Sequence, residues 1–169
     1  MSRWLLGIAR AQLRHPAEGV GLIQQAVTDL ADVGQRIAIT WTFGCLAEAH
    51  ERKGSIADAL EAVEQALHAN PEELAYGPEA LRLRGELRLK QDQRELAESD
   101  FRASIALAQK TRAKTWELRA TVSLARLLAA RGRTDEARTM LAEIYNWFTE
   151  GFDTADLKDG KALLDELSV

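Results

Sequence analysis

Cysteine occurs once in the 169 residues, at Cys45, so no disulfide can form within the chain and burial has to hold the fold. A lone thiol suits a reducing cytoplasm, the expected location, and packs as a small apolar residue. Histidine is almost as scarce. His15, His50 and His68 are scattered, with no second ligand at metal spacing, so no metal is expected. No apolar run approaches the length of a membrane span. WLLGIA near the N-terminus is too short for a signal-peptide core, is followed by Arg10 and Arg14, and lacks a small-residue cleavage site. The phosphate-binding pattern GxxxxGK followed by Ser or Thr is missing, as are GxGxxG and GxSxG. The carboxylates fall on helix faces with no isolated apolar pair to raise a pKa. Neither catalysis nor a cofactor is expected.

What the chain does contain is Ala, Leu, Glu and Arg in long stretches, with 46% hydrophobic and 28% charged residues. That balance belongs to a globular, helix-rich chain, and the expected fold class is all-α. At this length a single domain buries roughly 70% of the surface its unfolded form exposes. The net charge of −4 argues against direct binding to nucleic acid. Charge is nevertheless segregated: basic residues dominate from Arg102 to Arg138 and acidic ones from Glu143 onward, as solvated faces do.

Small residues recur in pairs: Gly7 with Gly19, Ala47 with Ala59, Gly85 with Ala97, Ala125 with Ala137. Each pair is separated by 12 positions, and successive pairs begin 40, 38 and 40 residues apart. This is a tandem repeat. Around each pair the apolar positions follow helical spacing, as in Leu124, Leu127 and Leu128 before Gly132 and Met140, Leu141 and Ile144 after it. Each unit reads as two antiparallel helices whose backbones approach where both side chains are small. Gly54 and Gly132 end helices, Ser55 with Asp58 and Thr134 are candidate caps, Asp92 replaces the glycine in the third unit, and Pro16 suits a first turn. NPEELAYGP, residues 70 to 78, marks the least regular connection. The units span about 1–34, 35–70, 71–111 and 112–149. A capping helix over 153–168 carries Leu157, Leu163, Leu164 and Leu167 on one face, with Asp153 or Thr154 as its cap, and covers Trp147 and Phe148.

The pattern resembles the tetratricopeptide repeat. Numbered from Thr40, the second unit places Leu46 and Ala47 at positions seven and eight, Gly54 at fifteen, Ala59 at twenty, Ala66 at twenty-seven and Pro71 at thirty-two. The resemblance implies a right-handed α-solenoid of four helix pairs plus the capping helix. LRLRGELRL (81 to 89), TWELRATVSLARLLAARGR (115 to 133) and YNWFTEGFDTADLKDGKALLDEL (145 to 167) further resemble the C-terminal repeat region of bacterial signalling ATPases with adenylate or guanylate cyclase-like or LuxR-type domains. The chain is then expected to be a fragment or stand-alone relative of that regulatory end, next to attached ATPase or cyclase domains.

Positions two, five, nine and twelve of the first helices form one stripe. They hold Trp41, Gly44, Glu48 and Glu51, then Glu79, Arg82, Glu86 and Leu89, then Arg119, Val122, Arg126 and Ala129. The resulting groove is expected to run from an acidic to a basic end. Stacking is expected to set Glu79 beside Arg119 and Glu86 beside Arg126. Trp41, Glu48, Arg82, Glu86, Arg119 and Arg126 are the candidate binding residues for a protein or peptide partner carrying acidic groups. The lysine and asparagine set with which chaperone-binding repeat domains clamp a C-terminal carboxylate is absent. Two other functions fit the same sequence: sensing of a small-molecule effector, and homodimerisation through an uncapped first helix. Trp4, Trp116 and Trp147 lie on amphipathic helices and are expected to pack.

Overall fold

A computed structural model describes residues 16–34, 36–69 and 75–168. Among them are eight α-helices and no strand: α1 Pro16–Asp32, α2 Arg36–Lys53, α3 Ile56–Ala69, α4 Gly77–Lys90, α5 Arg94–Lys110, α6 Lys114–Ala130, α7 Thr134–Tyr145 and α8 Ala155–Glu166. Consecutive helices pack on one another, and α2, α4, α6 and α8 also touch in series. Pairs α2 with α3, α4 with α5 and α6 with α7 match the second to fourth repeats, and α1 is the second helix of the first. The first helix of that unit, with Gly7, Trp4 and the proposed self-association surface, lies outside the described residues, as do residues 70–74 of the irregular connection.

The small-residue pairs of the second to fourth units lie where their helices pack together. Ala47, Ala59, Ala97, Ala125 and Ala137 are all at most 1% exposed. Gly85 stands against Phe101: a Cβ there would come within 2.5 Å of the ring. Ala125→Leu is accordingly expected to overpack the α6–α7 crossing and lower stability by about 1 to 3 kcal/mol in urea denaturation. Unchanged melting would contradict the register.

Gly54 and Gly132 adopt left-handed backbone at φ 85° and 77°, and Asp92 does the same at φ 59°. The caps differ from expectation. Thr134 is already the first residue of α7, behind Arg133, and neither Arg133 nor Thr154 makes a side-chain cap bond. The Thr154 hydroxyl instead donates to the Gly151 carbonyl at 2.7 Å. Leu157 and Leu163 of α8 and Leu167 just past its end are buried as expected, and Phe148 packs partly buried against the same cluster. Trp147 is not covered but 58% exposed. The chain leaves α7 at Tyr145, so Trp147 no longer follows the apolar face; its ring lies under Lys114 Nζ at 5.5 Å. Trp116 does pack, edge-on to Tyr76 at 6.0 Å.

On the outer side, Glu98 of α5 accepts from Arg102, Arg131 and Arg133 at 2.9 Å each. Burial alone would raise the Glu98 pKa, but hydrogen bonds from Arg102 and Arg133 outweigh it and hold the carboxyl below its ordinary 4.5. A lowered folded-state pKa gives stability that is complete above the unfolded value and lost as pH falls through the folded one. Melting temperature is therefore expected to drop below about pH 4.5, and to drop less in Glu98→Gln.

Candidate partner-binding groove

The period places equal positions of α2, α4 and α6 side by side, and their polar stripe lines a cavity of about 280 Å³. Glu48, Arg82, Glu86, Arg119 and Arg126 all border it. Trp41 does not. It packs, partly buried, against the cluster of Tyr76, Ala80 and Ala66, because the start of α4 lies against its place on α2. The remaining wall comes from Glu79, Val122 and Ser123, and from Asp156 and Asp159 of α8.

Every arginine of the stripe is engaged. Arg82 donates to both oxygens of Glu79, Nε to Oε2 at 2.8 Å and Nη2 to Oε1 at 2.7 Å, and its Nη1 lies 3.5 Å from Glu86 Oε1. Arg119 Nη1 reaches Glu79 at 3.3 Å, the expected pairing, while its Nε donates to Asp156 at 2.9 Å. The guanidinium also sits 5.1 Å from the centre of the Trp116 ring. Arg126 departs from expectation. Its Nη2 donates to Asp159 at 2.5 Å, and Glu86 instead accepts the Ser123 hydroxyl at 2.6 Å.

These contacts overturn the expected acidic-to-basic gradient. The basic end is neutralised by Asp156 and Asp159, so the cavity holds five carboxylates against three guanidiniums, an excess of two negative charges. Asp156 stands 37 residues after Arg119, close to one repeat period. Treating α8 as the inner helix of another unit, rather than only as a cover, would have placed it in the groove. Burial, and then the like charges of Glu79 and Glu51, push the Glu48 carboxyl above its ordinary pKa despite Arg52 and Arg82.

Burial, with a smaller push from Glu48, raises the Cys45 thiol to about 12, which leaves little nucleophilic thiolate near neutrality. His50 is buried with its Nδ1 3.6 Å from Asp58, and burial lowers its pKa. Among the described residues no three His, Cys, Asp or Glu side chains gather as metal ligands, and no helix is long and apolar enough to cross a membrane.

No protein-family model and no curated protein matches the chain. Solved structures do. A Podosopora anserina protein described as a kinesin light chain with nearly identical TPR-like repeats superposes with a TM-score of 0.74 at 19% identity, over 98% of this chain and 83% of that one. The chain has a tetratricopeptide-like repeat fold. Aspartyl phosphate phosphatase F of Bacillus subtilis superposes on it with a TM-score of 0.80 at 17% identity, over 98% of this chain and 44% of that one. A thermophilic TPR protein of Thermus thermophilus gives 0.55 at 17% identity, over 99% and 98% of the two chains. Identities this low carry the tetratricopeptide-like fold alone. The fold explains why a groove exists, because inner helices of successive repeats line one face of the stack.

Proposed function

We propose that the chain is a non-catalytic protein-interaction module that holds an extended segment of a partner protein between α2, α4, α6 and α8. The observation that carries this reading is the convergence of polar side chains from three successive repeats and α8 on one cavity. Its volume, about 280 Å³, lies at the small end for pockets that enclose a free ligand, which favours a few side chains of a partner over a metabolite. The arginines are already paired, so recognition of an acidic group by free guanidiniums does not govern partner choice.

The likeness of residues 81–89, 115–133 and 145–167 to the C-terminal repeats of signalling ATPases supports a place at the regulatory end of such a bacterial protein. Binding there regulates attached domains only to the extent that the partner prefers one of their arrangements. The test is a peptide-display selection on the purified chain, followed by amide chemical-shift mapping of the selected binders. Shifts at Glu48, Arg82, Val122 and Ser123 are expected. Binders that shift only the outer helices α5 and α7 would overturn the assignment.

A further inference from the structure

Glu48 and Glu86 occupy the same register position in successive repeats, 38 residues apart, and both border the cavity. Their side chains are each 35% exposed, so they are desolvated in part while their carboxylates stay within reach from the groove. They are also the two carboxylates left over once the other charges are assigned. Glu79 is satisfied by Arg82 and Arg119, Asp156 by Arg119 and Asp159 by Arg126. Among the described residues Glu48 has only Arg52 within ion-pair distance, at 4.0 Å and from its own helix, with Arg82 acting on it from further off. Glu86 has the Ser123 hydroxyl and the far edge of Arg82, whose main partner is Glu79.

Resting on the groove reading above, we propose that Glu48 and Glu86 form a subsite for one basic side chain, lysine or arginine, of the bound partner segment. A cation there offsets the cavity's excess of negative charge and completes the hydrogen bonding of two partly buried carboxylates. Charge-assisted bonds of this kind are stronger than neutral ones. An acidic side chain at the same place meets like charge with no free guanidinium to receive it. Burial, and after it the charges of Glu79 and Glu51, keep the Glu48 pKa raised although Arg52 and Arg82 pull it down. A bound cation favours the ionised carboxyl, so binding is expected to lower that pKa.

The experiment is display selection on three proteins: the wild-type chain, Glu48→Gln/Glu86→Gln, and Asp135→Asn as a control for the net negative charge. Asp135 is 98% exposed on α7, away from the cavity. The expected result is lysine or arginine enriched at one fixed peptide position on the wild-type and Asp135→Asn chains, and no such enrichment on the double variant. A selected peptide is expected to lose about tenfold in affinity when that residue becomes norleucine. The glutamine variants keep the shape and an acceptor for Ser123, and circular dichroism checks that they fold. Selected peptides that map to the groove without a fixed basic residue, or that keep it on the double variant, overturn the subsite and leave the groove standing. If no peptide is selected, both readings fail.

Discussion

Phe101→Ala is expected to lower stability by about 3 to 5 kcal/mol, read as a shift of the urea midpoint with unchanged m. The ring is fully buried in the core shared by α5 to α8 and lies over Gly85, where an added methyl would come within 2.5 Å of it. Domain stabilities of about 5 to 15 kcal/mol leave such a variant folded but marginal. The glycine supplies the sharper check. Gly85→Ala on its own improves helix propensity by about 1 kcal/mol, yet the rigid ring has no free end to swing aside, so overpacking by about 1 to 3 kcal/mol wins. In the double variant the new methyl enters the space the ring has left. Its loss is expected to fall short of the sum of the two single losses by about 0.5 to 3 kcal/mol. Additive losses would mean that the two residues do not meet.

The second large effect is expected at Asp100, beside Phe101 on α5 and only 3% exposed. Its carboxylate accepts from Arg84 at 3.1 and 2.7 Å and from Arg88 at 2.7 Å. Arg84 in turn reaches Glu64 at 3.0 Å, so one network ties α3, α4 and α5. Asp100→Ala leaves the two guanidiniums sharing one carboxylate, Glu64, at 3.0 Å from Arg84 and 3.8 Å from Arg88. Their side chains are 19% and 20% exposed, so water softens the penalty toward the lower end of the range for a broken buried pair, about 3 kcal/mol. Glu64→Ala removes a carboxylate that is 40% exposed, and a loss of no more than about 1 kcal/mol is expected. Equal losses at the two positions would show that burial of Asp100 does not set its worth.

Asp100 was open to detection in the sequence. Ala97, Asp100, Phe101, Ser104 and Ala108 follow helical spacing and all are buried, so the aspartate stands on the apolar stripe of its helix. A charge at such a position needs partners, and Arg84 and Arg88 are among the four basic residues one helix earlier. Trp147 was not open in the same way. Its burial was expected from an amphipathic helix running through it beneath the capping helix, whereas α7 stops at Tyr145 and α8 packs against α6 and α7 without covering the ring.

What the sequence by itself determined is the repeat. Helix pairs, the small residues at their crossings and the left-handed turns at Gly54, Asp92 and Gly132 depend on contacts within one unit, so spacing and residue type suffice. From the same spacing came the pairing of Arg119 with Glu79, one period apart. The electrical character of the groove was decided only by the tertiary structure. Arg126 had Glu86 as a neighbour in register, yet it pairs with Asp159, 33 residues onward on α8. Half-exposed ion pairs differ from one another by less than about 1 kcal/mol. Small displacements of one helix against the next therefore choose among them, and the packing of α8, which brings Asp156 and Asp159 into the groove, sets the sign of the charge that a partner meets.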